Sequence, residues 1–297
     1  MKRICIIGAG KFGLALYKSL DKKNEISFIS RTKKHNLNYV NYDEISNFDY
    51  IFFCIPSNYL DDRISELKDL KDKKILITEK CFDLETEDFV SNLIEEKLQT
   101  KNICFLSGAN ISSEIIAGKV CSYDLSSKDI ELSNEFKKLF LDKYIINTST
   151  NLYQNQLAGI YKNIVSIGSG IIYSLSMGEN FRNYFISRSL EEFENLLLFF
   201  NLGSNCDFGT KIGDLFLSAN SKKSRNFKFG YTIIKENLTD YKSFDDTVEG
   251  LNNLNILYKK TKSSGLDFRI IELIYEIIHV RNFDKKYLRN KFENLFK

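Results

Sequence analysis

A single ammonium in an otherwise apolar run is the first feature with chemical meaning. Residues 157–175 read LAGIYKNIVSIGSGIIYSL, apolar on nearly every helical face, with one charge at Lys162. A helix apolar all round belongs in a core or a membrane, and a core takes an ammonium only when a partner or a task offsets its desolvation. Three readings are open. Lys162 snorkels to water along its stem; or the run, about long enough to cross a bilayer, is a membrane span; or Lys162 is a catalytic acid/base, since desolvation makes a lysine easy to tune. Asn163, Ser166, Ser169 and Ser174 add too much polarity for lipid, and no other segment looks like a span.

The second feature is Gly8-Ala9-Gly10-Lys11-Phe12-Gly13, which follows the β-branched run RICII and precedes a helical pattern through Leu20. In that context Gly8 permits the tight turn, Gly10 lets the backbone approach a pyrophosphate, and Gly13 lets the helix pack close on the strand. The helix N-terminus then offers N–H groups and a positive dipole end to phosphates. A glycine turn in another α/β protein is the plain alternative. The next strand, residues 26–30, ends in Ser30-Arg31-Thr32, where an NAD-preferring fold would place an acid for the ribose. Arg31 is open to three roles: contact with an adenosine 2′-phosphate, stacking on adenine, or a solvated turn. NAD and NADP therefore both remain as cofactors.

The elements that must position these groups follow from periodicity. Apolar runs at residues 50–55, 74–78 and 103–106 alternate with amphipathic stretches at 58–67 and 84–98, which predicts a Rossmann-type, doubly wound parallel sheet. Ligands in such sheets bind beyond the carboxyl ends of the strands; Pro56-Ser57, Lys80 and Ser107-Gly108-Ala109-Asn110 stand there. After about Asn147 the pattern turns to long helical stretches. The expectation is an α/β chain with a dinucleotide-binding Rossmann domain over residues 1–148 and an all-helical substrate-binding and catalytic domain over 149–297.

Composition narrows the classes. The 297 residues are 43% hydrophobic and 27% charged, as in soluble globular proteins, and a net charge of +3 from 42 basic and 39 acidic side chains gives no case for nucleic acid. Six cysteines without CxxC spacing argue against disulfides, and two histidines, His35 and His279, leave no basis for a His-based metal site or triad. Met1 runs straight into strand material without a signal peptide, so a cytoplasmic location is expected.

In order along the chain, GAGKFG (8–13), Ile55-Pro56-Ser57, Lys80, SGAN (107–110), Lys162-Asn163, Gly178-Glu179-Asn180, Gly213-Asp214-Leu215, Ser224-Arg225-Asn226 and Val248-Glu249-Gly250 resemble the NAD(P)-dependent glycerol-3-phosphate dehydrogenase family. The resemblance spans almost the whole chain. It implies Lys162 as catalytic acid/base, with Lys80 and Asp214 as further catalytic groups. It implies a cofactor set of Gly8, Gly10, Lys11, Phe12, Gly13, Arg31, Pro56, Lys80, Ser112, Arg225 and Glu249. The implied substrate, dihydroxyacetone phosphate or sn-glycerol 3-phosphate, would meet Lys80, Gly108, Asn110, Lys162, Asn163, Asp214, Ser218, Ser224, Arg225 and Asn226. No metal is implied, and a homodimer and a supply role in phospholipid synthesis follow from the resemblance alone.

Departures are visible too. The segment between Arg31 and Asp49 is shorter than usual in the family, Ala109 stands where bacterial members often have proline, and Ser218 replaces the usual threonine. Lys211 and Ser189 fall where small glycine-rich runs are commoner. The rivals are another two-domain NAD(P)-dependent dehydrogenase acting on a hydroxy acid or acyl thioester, and a dinucleotide sensor without catalysis.

Overall fold

A computed structural model of the chain describes residues 1–55, 59–65, 67, 69–203, 208–238, 241, 244, 248–279 and 284–297. Two compact units result, residues 1–156 and 157–297. In the first, strands β1 (Arg3–Ile7), β2 (Glu25–Ile29), β3 (Tyr50–Phe53), β4 (Lys74–Ile77), β5 (Ile103–Ser107), β6 (Ser122–Ser127) and β7 (Ile145–Ser149) form one sheet in the order β2-β1-β3-β4-β5-β6-β7. Pairing is parallel throughout except between β5 and β6, which are antiparallel. The expected Rossmann-type sheet is thus present, with a two-strand extension that the sequence pattern does not announce.

The strand runs are continuously apolar because both sheet faces are covered. Cys5, Ile7, Ile51, Phe53, Ile75, Ile77 and Phe105 pack on one face with Leu60 and Ile64 of α2 (Leu60–Ser65) and Val90, Leu93 and Ile94 of α3 (Val90–Leu98). The alternate residues Ile4, Ile6, Phe52, Leu76 and Cys104 pack on the other. There they meet Ala15 and Leu16 of α1 (Lys11–Ser19), Ile115 of α4 (Ser112–Ile116) and Phe136 of α5 (Ile130–Lys137). Between β2 and β3 the short connecting segment still follows the free edge of β2. Phe28 N–H donates to Asn38 O (2.8 Å) and Val40 N–H to Phe28 O (3.0 Å), before a 3-10 helix at Tyr42–Asn47 leads back to β3.

The second unit is helical. Its core element is α6 (Leu152–Ser174), which begins in the first unit and is buried at every position from 160 to 172. Around it lie α7 (Gly178–Phe199), α8 (Phe208–Asn220), α9 (Arg225–Lys235), α10 (Glu249–Thr261), α11 (Arg269–His279) and α12 (Lys285–Asn294). The crossing of α6 and α9 is made backbone to backbone. A Cβ on Gly170 would stand 2.1 Å from Phe227 O, and one on Gly230 would stand 2.0 Å from Ile167 O. Neither position tolerates a side chain, which fixes the register of the two helices. Among the described residues no helix is long and apolar enough to cross a membrane; the apolar run at 157–175 is core.

Glu192 of α7 ties α11 into this core. Its carboxylate, 6% exposed, accepts the N–H groups of Ile270 (2.6 Å) and Ile271 (3.0 Å) at the start of α11, and the hydroxyl of Tyr161 (3.0 Å). Burial pushes its pKa up to about 8, overriding the three donors that favour the ionised form. Burial first, and the Glu192 carboxylate second, drive the Tyr161 phenol well above its usual range. Because the folded pKa lies above the unfolded one, folding takes up a proton between them. The associated stability is full below the ordinary carboxyl value and lost as pH rises toward about 8. Thermal melts across this window should show wild-type stability falling by up to about 1.4 kcal/mol per pH unit from this group. Glu192→Gln should flatten the profile, and an unchanged slope in that variant would rule the assignment out.

Candidate active site

In the first unit the expected site residues collect along one edge of the sheet. Register pairs Ile7 with Phe53, Phe53 with Ile77 and Ile77 with Phe105, so the segments that follow these strands emerge side by side. Gly8 has φ +112°, and a Cβ there would lie 2.4 Å from Cys54 O; one on Gly13 would lie 2.0 Å from Gly8 O. Both glycines are demanded by the fold itself. Gly10 is different. It is exposed, with φ −68° and, among the described residues, nothing within 4 Å of a Cβ, so none of their atoms requires it to be glycine.

Lys11 opens α1 and is exposed, with Phe12 half-buried behind it. The α1 N-cap Gly10 supplies no side-chain acceptor, leaving the first-turn N–H groups without a side-chain cap. Arg31 is exposed just past β2, its guanidinium 5.0 Å from the centre of the Tyr59 ring. Pro56 and Ser57 lie outside the described residues.

Beyond β4, Lys80 is half-buried and follows a buried Glu79, whose carboxylate accepts the Thr78 N–H (3.0 Å). The sequence reading singled out Lys80 and passed over Glu79, because a Glu-Lys pair after a strand looks like ordinary surface. Burial first, and the Glu79 charge second, hold the Cys54 thiol well above its usual pKa. After β5, Gly108 takes φ +114° with its Cβ position 2.5 Å from Ser122 O, and the buried Asn110 donates from Nδ2 to Ser107 O (3.1 Å). Ser112 is half-buried at the first position of α4.

In the second unit Lys162 does not snorkel. It is 8% exposed, and its Nζ donates to Asp214 Oδ1 at 2.5 Å and to Ser218 Oγ at 3.0 Å. Asp214 and Ser218 sit four apart on α8 and therefore share a face; Ser218 Oγ is 3.4 Å from Asp214 Oδ1. Asn163, the next residue on α6, is also buried.

The N-termini of α9 and α10 converge on this turn of α6. Gly250 N–H donates to Asn226 Oδ1 (3.1 Å), and a Cβ on Gly250 would lie 2.7 Å from that oxygen and 3.2 Å from Asn163 O. Ser224 caps α9 by accepting the Phe227 N–H (3.4 Å), which leaves its own hydroxyl hydrogen to donate. Arg225 occupies the first position of α9 with half its side chain exposed, held by Glu249 of α10 (Nη2 to Oε1 3.5 Å). An arginine there opposes the helix dipole, and the first turn has no acidic residue. A helix start that breaks this local rule is a candidate place for an anion.

Residues 39–133 match the family description NAD-dependent glycerol-3-phosphate dehydrogenase N-terminus, and residues 152–287 match its C-terminus. The chain belongs to the NAD-dependent glycerol-3-phosphate dehydrogenase family. Among relatives, it is 30% identical to a protein of Sulfurimonas denitrificans named glycerol-3-phosphate dehydrogenase [NAD(P)+], over 94% of this chain and 95% of that one. Among solved structures, its fold is similar to that of glycerol-3-phosphate dehydrogenase from Plasmodium falciparum. The TM-score is 0.86 at 18% identity, over 99% of this chain and 95% of that one. The fold of the Coxiella burnetii glycerol-3-phosphate dehydrogenase is also similar, with a TM-score of 0.82 at 19% identity over 100% and 99%. Glycerol-3-phosphate dehydrogenases are oxidoreductases, and no cluster of three or more metal-ligating side chains exists among the described residues.

For a member of this family the replacement of threonine by Ser218 keeps the hydroxyl within reach of both Lys162 and Asp214. The pair is nearly dry, with side chains 10% and 8% exposed. Removing one partner of such a pair strands a buried charge, whereas replacing both with apolar side chains does not. Asp214→Ala is expected to lower unfolding free energy by about 3–5 kcal/mol in urea titrations, and Lys162→Met with Asp214→Leu by much less. Equal losses in the two proteins would exclude a strongly coupled pair.

Proposed function

We propose that the chain interconverts dihydroxyacetone phosphate and sn-glycerol 3-phosphate with NAD(P)H or NAD(P)+, using Lys162 as the acid/base. The observation that carries the reading is the buried Lys162–Asp214 pair beside the arginine-bearing N-terminus of α9, in a chain of this family. Residues 1–148 would bind the dinucleotide and residues 149–297 the substrate. The glycine turn fits a dinucleotide: no described residue crowds Gly10, so the space in front of it suits a pyrophosphate laid against N–H groups without a side-chain cap. Arg31 stacked on Tyr59 would wall the adenosine side.

A bound nicotinamide cofactor would supply the hydride chemistry at the carbon bearing the reacting oxygen. Lys162 has the complementary task at that oxygen. Its ammonium donates a proton in the reducing direction and steadies the developing alkoxide, and its amine takes the proton back in the oxidising direction. Asp214 and Ser218 both accept from the Nζ and so orient it. The apolar turns of α6 exclude water and strengthen the charge. Ser224, Arg225, Asn226 Nδ2 and the α9 N–H groups are the donors for the phosphate, with Glu249 holding the arginine in place. Lys80 of the first unit is assigned a second cationic contact with substrate and cofactor. A role in phospholipid supply, a cytoplasmic site of action and a homodimer belong to the same proposal.

The deciding assay is oxidation of NADH or NADPH, followed by absorbance, with dihydroxyacetone phosphate against unphosphorylated ketones and hydroxy-acid precursors. Turnover that requires the phosphate is expected, and preference for an unphosphorylated keto acid would replace the reading by another dehydrogenase. Lys162→Ala should fold and bind dinucleotide but lose about a hundredfold to ten-thousandfold in kcat; near wild-type turnover would end its role as acid/base.

Gly10→Ala separates the cofactor site from the fold. Its backbone angles suit alanine, so stability should stay within about 0.5 kcal/mol. Dinucleotide affinity by fluorescence titration should fall about tenfold or more, and unchanged affinity would remove Gly10 from the site.

A further inference from the structure

The second unit holds another concavity, at the far end of α6 from Lys162. Tyr173 is eleven residues further along the helix, about 16 Å by helical rise. The cavity has a volume of about 470 Å³ and is lined by Tyr173, Glu179 and Arg182, by Tyr231 and Lys235 of α9, and by Lys285 of α12. That size is in the range of small-molecule sites. Its charge is one-sided: three cations face a single carboxylate, Glu179, whose side chain is 83% exposed. A fourth cation, Lys222, lies 4.9 Å from the centre of the Tyr173 ring.

Arg182 is the telling residue. It is 8% exposed, and its Nε is buried with no hydrogen-bond partner among the described residues. Its Nη2 is 3.7 Å from Glu179 Oε1, beyond a hydrogen bond, and its guanidinium stands over the rings of Tyr173 (5.4 Å) and Phe227 (6.0 Å). Burying a guanidinium with an unused donor is costly and needs an external reason. The start of α7 points the same way. Gly178 takes φ +88° with nothing within 4 Å of a Cβ among the described residues, and Met177 provides no side-chain cap, so the first turn of a 22-residue helix keeps N–H groups for an anion. The Tyr173 phenol is held below its usual pKa, by Lys222 first and Arg182 in addition, in line with a positive local field.

We propose that this cavity binds the phosphate group of a phosphorylated small molecule, at a site distinct from that of Lys162. Arg182 presents its guanidinium, whose Nη2 is beyond hydrogen-bond reach of Glu179, Lys235 and Lys285 close over the charge, and the start of α7 contributes backbone N–H groups. The volume exceeds what a bare phosphate fills, so the ligand carries a further organic or phosphoryl portion.

The test uses inorganic pyrophosphate as probe and the full chain, by calorimetry. Lys235 and Lys285 are exposed, so the variant Lys235→Gln with Lys285→Gln should keep the wild-type melting temperature. Wild type should show a class of sites that this variant weakens about tenfold or more, and that Arg225→Gln retains. Added sodium chloride should weaken it further through screening. A crystal of the complex should show the anion against the Arg182 guanidinium. Equal affinity in wild type and the double lysine variant, no binding in wild type, or an anion lodged elsewhere would each overturn the proposal.

Discussion

A buried ammonium has to be held, and that constraint organises the second unit. Lys162 lies on the most enclosed helix of that unit, and desolvation alone would make such a position hostile to charge. Asp214 and Ser218 answer it by projecting from one face of α8, four residues apart, onto the same nitrogen. A hydrophobic pair of equal volume would serve packing as well or better. Its presence is therefore better explained by chemistry at the nitrogen than by stability. The apolar length of α6 gives the nitrogen a dry, rigid setting, the one that the proposed proton transfer by a lysine needs.

The second constraint is how closely α9 can come. Gly170 and Gly230 remove the side chains at the crossing, so the two backbones touch, and Gly250 does the same for the start of α10 beside Asn163. The result is that Ser224, Arg225 and Glu249 meet near the Lys162 turn instead of being spaced by ordinary side chains. Asn226 is the joint of this arrangement: its amide oxygen is spent on Gly250 N–H, and its amide nitrogen remains as donor. The same few residues thus set the packing and the position of the candidate site, and a change at the crossing would propagate to it.

Much of this was legible beforehand, for identifiable reasons. Strands with both faces covered are continuous apolar runs, so β1 to β5 stand out in the sequence. The strand β6, SYDLSS, is mostly polar, and β7, IINTS, is an edge strand whose residues are exposed or only partly buried. Neither leaves a hydrophobic signature, and both were missed. The glycine turn and the run with one lysine were legible because each breaks a compositional rule. Glu79, Glu192 and Arg182 were not, since a charged residue on an amphipathic helix or after a strand reads as surface. Their burial comes from neighbours distant in sequence, as when Ile270 and Ile271 donate to Glu192.

By itself, the order of residues determined the α/β plan followed by helices, the strand-turn-helix around Gly8 to Gly13, and the odd charge at Lys162. These depend on local propensity and periodicity, which need no knowledge of what packs where. Only the tertiary structure decided that Lys162 is paired and does not snorkel, and that Gly8 and Gly13 answer to the fold while Gly10 does not. It also decided that Arg225 is held by Glu249 at a helix start. The reason is physical: whether a charge is buried, and whether a Cβ would strike another backbone, is set by atoms tens of residues away.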